Sequence, residues 1–338
     1  MLEKIVSETV NFEIPLIKIT GDIFSLELYH GPTLAFKDIG ARFMSRCLGY
    51  FANHSASLRA SKEKVVVLVA TSGDTGGAVA NGFYDVEGVD VVILYPTGKV
   101  SSVQEKQLTT LGKNMHALEV DGTFDECQLM VIAAFADVEL NKKIKLTSAN
   151  SINVARWLPQ QFYYFYLWKE WEDKTNPPAV AVPSGNLGNI CAGLLAQQSG
   201  LPIQHFIAAC NTNDTVPEFL RSGNYQPKKA VATISNAMDV GAPSNLIRIM
   251  EIFQQQIDGL KKTLNGYTIS DDETKATLVS VFKKFNYLLD PHGAVAYTAL
   301  QQHQAKHSNA KGVILETAHP VKFYDVIEPL INQTVAVP

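Results

Sequence analysis

The sequence has few cysteines and no pair of them in CxxC spacing. Its four cysteines, Cys47, Cys127, Cys191 and Cys210, are scattered over 338 residues. That pattern argues against a disulfide framework and a zinc site, and it favours a reducing compartment. No apolar run approaches the roughly 20 residues needed to cross a bilayer, and the N-terminus is too charged for a signal peptide. We therefore expect a cytoplasmic protein with no membrane partner and no bound metal.

A strong excess of one charge is also absent. Charged residues make up 18% of the chain, its net charge is −4, and no block of basic residues occurs. This composition argues against a nucleic-acid partner. Hydrophobic residues make up 46% of a chain of this length, which is enough for two domains with cores of their own.

Apolar, β-branched runs alternate with helical patterns along the chain. Strands are predicted at residues 65–70, 89–95, 117–120, 179–182, 202–209 and 312–316, and helices at 78–84, 102–111, 124–141 and 190–199. Continuous apolar strands separated by helices are typical of parallel α/β sheets covered on both faces. The two groups, at 65–146 and 179–316, predict two α/β domains. Residues 53–64 and 221–229 are predicted to be exposed loops.

Two strand–loop–helix junctions are rich in glycine and hydroxyl groups, namely VATSGDTGGAVA at 69–80 and VPSGNLGNICAGLL at 182–195. Free backbone N–H groups and the positive end of the helix dipole make such a junction an anion site. The alternative is a tight turn with a helix cap, and one loop alone does not decide between them; two loops favour anion sites. Neither loop reads GxGxxG, so a dinucleotide fold fits poorly, and the absence of GxxxxGK[ST] excludes a P-loop.

A third polar cluster, TSANSINVAR at 147–156, contains Asn150, Ser151, Asn153 and Arg156. Asn153 and Arg156 share a helix face at this spacing, and an arginine fork matches phosphate or carboxylate oxygens. Spacing alone favours the simpler interpretation, a capped helix with a surface arginine. Lys37 follows three apolar residues in ELYHGPTLAFKDIG. Its position is compatible with two interpretations, a surface lysine and a nucleophile.

Histidines supply weaker signals. Thr317 and His319 follow a predicted strand in ETAHPVK, where ligand-binding residues gather, although a lone histidine there is more often structural. His303 and His307 have the spacing of zinc ligands on a helix, but no third ligand is near them in the sequence. We interpret this pair as part of a solvated helix face.

Seven motifs occur in a fixed order: LYHGPTLAFKD, TSGDTGGAVA, NSINVAR, SGNLGN, NAMDVGAPSN, DPHGAVAY and TAHPVKF. Together they resemble the threonine synthases, pyridoxal-5′-phosphate enzymes of fold type II, from about residue 27 to residue 323. The resemblance implies two open, mostly parallel α/β sheet domains with the cofactor in the cleft between them. It also implies a smaller domain at residues 46–149 and a larger, cofactor-binding domain at 1–45 with 150–338.

The resemblance implies a role for each motif. Lys37 matches the lysine that bonds to the cofactor aldehyde, and Thr317 the hydroxyl residue that faces the pyridine nitrogen. Asp74 stands where many relatives have an asparagine that contacts the cofactor O3′. The cofactor phosphate is expected at Gly185, Asn186, Leu187, Gly188 and Asn189. The substrate carboxylate is expected at Thr71, Ser72 and Thr75, and the substrate phosphate at Asn150, Ser151, Asn153 and Arg156.

The reaction implied converts O-phospho-L-homoserine and water to L-threonine and phosphate, by γ-elimination and then addition of water at Cβ. Two alternatives stay open: another fold type II lyase such as a threonine or serine dehydratase, and a catalytically idle homologue that binds the cofactor. Monomer and homodimer are both compatible with the sequence. An N-terminal region usually precedes these motifs, yet only 26 residues precede Glu27 here. We therefore expect a naturally short form or a piece of a longer protein.

Overall fold

A computed structural model of the protein describes residues 1–54, 65–308 and 310–338. The strands are β1 (Leu16–Lys18), β2 (Ile23–Glu27), β3 (Val65–Ala70), β4 (Val89–Pro96), β5 (Met115–Val120), β6 (Lys145–Ser148), β7 (Ala179–Pro183), β8 (His205–Cys210), β9 (Leu264–Thr268) and β10 (Gly312–Glu316). The helices up to residue 160 are α1 (Leu2–Thr9), α2 (Lys37–His54), α3 (Asp74–Gly82), α4 (Ser102–Thr109), α5 (Phe124–Ala136), α6 (Val138–Lys143) and α7 (Val154–Trp157). The later helices are α8 (Gln161–Glu170), α9 (Gly188–Gln198), α10 (Thr215–Ser222), α11 (Leu246–Ile252), α12 (Ile257–Thr263), α13 (Asp271–Phe285), α14 (Pro291–Gln304) and α15 (Tyr324–Ile331).

The described residues form two compact units. The first unit comprises Met1–Glu13 and Gly31–Pro159, and the second comprises Ile14–His30 and Gln160–Pro338. These bounds differ from the domains predicted at 46–149 and at 1–45 with 150–338. The difference has a packing cause, because α2 lies against α1, α3 and α7 and so belongs to the first unit from its beginning.

The first unit contains a parallel sheet in the order β5-β4-β3-β6. Its central strand β3 is apolar throughout and pairs with β4 on one side and β6 on the other. Val67, Val69, Val91 and Ile93 are fully buried in its core, as expected for a sheet covered on both faces. Because β3 and β6 are parallel neighbours, the loops that follow them, 71–75 and 149–153, begin at the same edge of this sheet.

The second unit contains a sheet in the order β1-β2-β10-β7-β8-β9. All of these pairings are parallel except β1 with β2. Strands β7 and β10 are neighbours, so the segments at residue 184 and residue 317 also leave one edge of this sheet together. Helix α14, which is buried along most of its length, contributes more residues than any other element to the core against this sheet.

Each predicted strand is confirmed, with small shifts at its ends. The single helix predicted at 124–141 is wrong, because Asp137 ends α5 in an extended conformation and its side chain accepts a hydrogen bond from Leu140 N, 2.9 Å away, which starts α6. Residues 223–229 are exposed and lie outside helices and strands, as predicted, whereas 221–222 end α10. The loop predicted at 53–64 begins too early, because residues 53 and 54 end α2; residues 55–64 lie outside the described residues. Within the described ranges, no helix is long and apolar enough to cross a membrane.

Candidate active site

Lys37 is the first residue of α2, and a tight turn fixes where that helix begins. The carboxylate of Asp38 accepts hydrogen bonds from the backbone N–H of Thr33 at 2.9 Å and from its hydroxyl at 2.6 Å. A Cβ on Gly31 would lie 2.5 Å from an Asp38 oxygen, so only glycine lets the turn wrap this closely. Lys37 itself is half-buried, with its Nζ 5.7 Å from the centre of the Phe36 ring. The turn therefore fixes the backbone position of Lys37 at the start of α2.

The first glycine-rich loop, 71–75, is held from within by Thr71. Its buried hydroxyl accepts hydrogen bonds from Gly73 N at 2.9 Å and Gly76 N at 2.8 Å. Gly73 has φ +134°, and a Cβ there would lie 2.5 Å from Gln104 Nε2. The same Gln104 nitrogen donates to a carboxylate oxygen of buried Asp74 at 2.9 Å. Ser72 and Thr75 are half-buried on this loop.

The polar cluster at 150–156 is tied to that loop. The side-chain amide of Asn150 bonds to both backbone groups of Ala70, the residue before Thr71. Asn153 caps α7 by accepting from Ala155 N at 3.0 Å, and its Nδ2 donates to Ser148 O at 2.9 Å. The side-chain amides of both asparagines therefore form hydrogen bonds with backbone groups. Ser151 is half-buried beside them in the chain.

Arg156 is buried, which contradicts the interpretation as a surface arginine. Burial lowers the pKa of its guanidinium to about 10, against the attraction of the Asp38 carboxylate, which raises it. A Cβ on Gly40 would overlap the carbonyl oxygen of Arg156, so glycine allows α2 and α7 to approach closely. The planar fork of a guanidinium suits the oxygens of a phosphate. The first unit thus brings together the start of the Lys37 helix, the 71–75 loop and a buried arginine.

The second glycine-rich loop, 184–189, follows β7 and leads into α9. Asn186 Oδ1 accepts from the backbone N–H of Ser244 at 2.6 Å and from its hydroxyl at 2.9 Å, and Asn245 donates to Asn186 O at 2.7 Å. A Cβ on Gly185 would lie 2.8 Å from Met238 Cα. Leu187 precedes the helix in the left-handed conformation, at φ +63°. The loop is therefore anchored by backbone contacts and by the 244–245 segment.

This junction has the donors that a phosphate needs. Helix α9 has no side-chain cap, and the first N–H groups of a helix lack acceptors within it. Asn189 is 6% exposed, and its Nδ2 has no hydrogen-bond partner among the described residues. An uncapped helix N-terminus with a buried unused N–H donor suits a dianion. The residues present therefore fit the phosphate of the expected cofactor.

Thr317 is buried directly after β10, the neighbour of β7. The next residue, Ala318, donates its N–H to Asp290 Oδ2 at 3.0 Å, and Asp290 Oδ1 caps α14 through Gly293 N at 3.0 Å. Glu316, the residue before Thr317, is fully buried. Burial first, and the Asp290 carboxylate second, raise the pKa of Glu316 well above its usual value.

Several residues of these sites were missed by sequence reasoning. Asp38 and Asp290 lie inside quoted motifs, LYHGPTLAFKD and DPHGAVAY, and the motifs were the available signal. Gln104 had no signal, because it contacts Asp74 from a different helix. The interpretation of His303 as solvated is wrong: it is buried, and burial lowers its pKa to about 4. No group of three or more metal-ligating side chains that could hold an ion occurs in the part of the chain that the structure describes.

Comparison with known proteins places this arrangement in a family. The family model described as "Pyridoxal-phosphate dependent enzyme" matches residues 13–317. The threonine synthase of Buchnera aphidicola subsp. Acyrthosiphon pisum is 48% identical over 339 residues, covering 100% of this chain and 76% of that protein. The crystal structure of Escherichia coli threonine synthase matches with a TM-score of 0.92 at 45% identity, over 100% of this chain and 76% of that one. A structure of "PLP bound Threonine synthase" from Brucella melitensis matches with a TM-score of 0.87 at 34% identity, over 100% and 77%.

Proposed function

The chain belongs to the pyridoxal-phosphate dependent enzymes, and within them to the threonine synthases, and from this premise we propose how its residues divide the work of the reaction. It is a lyase that uses pyridoxal 5′-phosphate, with the fold type II architecture of the structures it matches. We propose O-phospho-L-homoserine as the substrate, which reacts with water to give L-threonine and phosphate.

The proposal assigns the cofactor phosphate to residues 185–189, where backbone N–H groups and Asn189 supply donors. Thr317 would face the pyridine nitrogen with a neutral hydroxyl, which does not hold that nitrogen protonated as a carboxylate would. Asp74 would face O3′, held by Gln104. When bound, the cofactor supplies the electron sink that makes the substrate protons removable.

The substrate brings one carboxylate and one phosphate, and the proposal gives each its own donors. Ser72 and Thr75, on a loop braced by the Thr71 hydroxyl, would bind the carboxylate. Arg156 and Ser151 would bind the phosphate. The side-chain amides of Asn150 and Asn153 already form hydrogen bonds with backbone groups. We therefore propose that these two residues fix the shape of the phosphate site.

Lys37 is the proposed point of attachment of the cofactor aldehyde and the base of the reaction. Its amine would take the proton from Cα, release it, and then take a proton from Cβ as phosphate leaves Cγ. Threonine is complete when Cγ has gained a proton, the hydroxyl of a water has added at Cβ and the proton of that water has returned to Cα; the remaining proton leaves on the phosphate. A lysine acts as a base only when its amine is neutral.

One observation carries the proposal: buried Arg156, the 71–75 loop and the start of the Lys37 helix belong to one compact unit. In that unit α2 packs closely on the Arg156 backbone at Gly40, and Asn150 bonds to Ala70, the residue before the loop. A dehydratase acting on serine or threonine has no phosphate on its substrate and no need of a buried arginine there. A catalytically idle homologue has no need of Lys37.

The test supplies O-phospho-L-homoserine to the holoenzyme and measures phosphate and threonine together. We expect equal amounts of both, and ammonia release from serine or threonine at most a minor activity. Lys37→Ala should abolish both products, and borohydride reduction of the wild type should leave the cofactor covalently on Lys37. The matched control is Lys142→Ala, an exposed lysine on α6 that pairs with Glu139. Turnover unchanged in Lys37→Ala, or ammonia without phosphate, would overturn the proposal.

We also propose the kind of partner and the compartment of the protein. The ligand is a small molecule, and gel filtration would decide between monomer and homodimer. The scattered cysteines support a cytoplasmic compartment, which fractionation of the source cells would test.

A further inference from the structure

The side-chain oxygen of Asn189 lies between two tyrosine hydroxyls. Tyr163 Oη and Tyr164 Oη are each 2.7 Å from Asn189 Oδ1, and Tyr164 Oη is also 3.2 Å from the Asn189 backbone oxygen. Both tyrosines are fully buried on α8. Burial raises the pKa of both hydroxyls well above the usual value, so both keep the proton that a donor needs.

This arrangement fixes which end of the Asn189 amide is available. An amide has an acceptor end and a donor end. Each hydroxyl has a second acceptor in reach, Gln160 Oε1 at 3.3 Å for Tyr163 and the Asn189 backbone oxygen at 3.2 Å for Tyr164, but both lie closer to Asn189 Oδ1, at 2.7 Å, and donate to it. The other end, Nδ2, is then the buried donor without a partner among the described residues. Leaving a buried N–H donor unsatisfied is unfavourable, because the group has lost its hydrogen bonds to water. An anion at the start of α9 removes that cost.

The opposite orientation of the amide would have a different consequence. It would present an oxygen, instead of an N–H, at the helix N-terminus where the cofactor phosphate is assigned, and oxygen repels an anion. We propose that Tyr163 and Tyr164 are positioning residues for the cofactor phosphate, because their hydroxyls hold the Asn189 amide with its N–H group toward the anion. This inference rests on the proposed role of residues 185–189.

The tyrosine rings make packing contacts of their own, so the hydroxyl groups can be removed while the packing of the fold is kept. A Cβ on Gly193 of α9 would lie 2.7 Å from Tyr164 Cζ, so the glycine lets the helix lie directly on this ring. Tyr164 also packs edge-on against Phe206, with centroids 5.8 Å apart. Phenylalanine keeps these ring contacts and removes only the hydroxyl. Tyr→Phe variants therefore test the hydrogen bonds with little change in volume.

The experiment compares two ligands of the apoprotein by equilibrium titration: pyridoxal 5′-phosphate and pyridoxal, which lacks the phosphate. We expect Tyr163→Phe and Tyr164→Phe each to weaken binding of the phosphorylated ligand several-fold, and the double variant to weaken it by about tenfold or more, as expected for two hydrogen bonds. Binding of pyridoxal should change by less than about twofold, because the lost interaction acts on the phosphate. The matched control is Tyr267→Phe, which removes a buried hydroxyl that bonds to His303 in the same unit, 3.4 Å away, and should change neither affinity.

Asn189→Ala separates this inference from the proposed function. If Asn189→Ala selectively weakens the phosphorylated ligand and the tyrosine double variant does not, the phosphate site stands and the positioning role is overturned. If Asn189→Ala affects both ligands equally, the assignment of the phosphate to this loop is itself overturned. An equal loss for both ligands in the tyrosine variants would show a general structural effect and would also overturn the inference. The melting temperature of each apoprotein is measured alongside.

Discussion

The side chain of Asn150 pairs with both backbone groups of Ala70, eighty positions earlier in the chain. Its Oδ1 accepts from Ala70 N at 3.1 Å, and its Nδ2 donates to Ala70 O at 2.7 Å. Ala70 ends β3, and β6, the parallel neighbour of β3, ends two residues before Asn150. The amide therefore continues the pairing of the two strands beyond the sheet. This contact joins the loop assigned to the substrate carboxylate to the cluster assigned to its phosphate.

Asn150→Ala removes both of these bonds at once. Each hydrogen bond contributes about 0.5–1.5 kcal/mol, so we expect the free energy of unfolding to fall by about 1–3 kcal/mol, measured by urea denaturation. The KM for the substrate should rise as well, because two binding segments lose their link. A KM increase with unchanged stability would contradict this account and would indicate that the amide contacts the substrate directly.

Substitution by alanine at two glycines of α2 should change the free energy of unfolding in opposite directions. At Gly40 a methyl group would overlap the backbone carbonyl of Arg156, which cannot turn aside. We expect Gly40→Ala to lower the free energy of unfolding by about 1–3 kcal/mol and to reduce activity, because it separates α2 from α7. At Gly49 the methyl group would lie 3.4 Å from Val86 Cγ1, an ordinary contact. Gly49→Ala should therefore stabilise the protein, by up to about 1 kcal/mol, because alanine is the better helix former.

Thermal melting and kinetics of the two variants form a matched pair within one helix. Equal effects of the two substitutions on stability would show that the close approach at Gly40 is not what matters.

The strands that could be predicted from sequence are those that consist of a continuous run of apolar residues. VVVLVA in β3 and GVILE in β10 are of this kind. Strand β9, LNGYT, was not predictable, because its asparagine and glycine are poor strand formers and its pairing with β8 decides its structure. The Asn150–Ala70 and Gln104–Asp74 pairs were not predictable either, since each joins residues far apart in the chain. His303 was assigned wrongly, because its polar neighbours in sequence conceal that its own side chain faces β8 and β9.

Glu316 gives a prediction about alkaline pH. Burial and the Asp290 carboxylate raise the pKa of Glu316 in the folded state above its unfolded value. The stability that Glu316 contributes is then fully present below its ordinary pKa of 4.5, and it is lost as pH rises through the folded pKa. Glu316→Gln cannot ionise and keeps the neutral shape, so its stability should fall less between about pH 5 and pH 9 than that of the wild type.

Urea midpoints across this pH range, in the presence of the cofactor, are the measurement. Glu172→Gln changes an exposed glutamate in the same unit and should follow the wild-type curve. Parallel curves for wild type and Glu316→Gln would mean that Glu316 is charged in the folded protein, and the prediction would fail.

His303 gives the opposite prediction, at acidic pH. Its ring stacks on His205, with centroids 5.1 Å apart, lies 4.4 Å from the His307 ring and is 3.4 Å from the Tyr267 hydroxyl. Burial first, and then the charges of His205, His307 and Lys306, lower the pKa of His303 to about 4. A lowered pKa means that this contribution to stability is present above the unfolded value of about 6.5 and is lost as pH falls toward the folded one.

His303→Gln should therefore lose less stability than the wild type between about pH 6.5 and pH 4, even if it is less stable at neutral pH because the ring stacking is gone. The control is His116→Gln, which changes an exposed histidine on β5 and should leave the slope of stability against pH unchanged. Melting temperatures at closely spaced pH values give both slopes directly. If His303→Gln and wild type lose stability in parallel on acidification, the acid sensitivity arises elsewhere and a neutral, buried His303 is not its source.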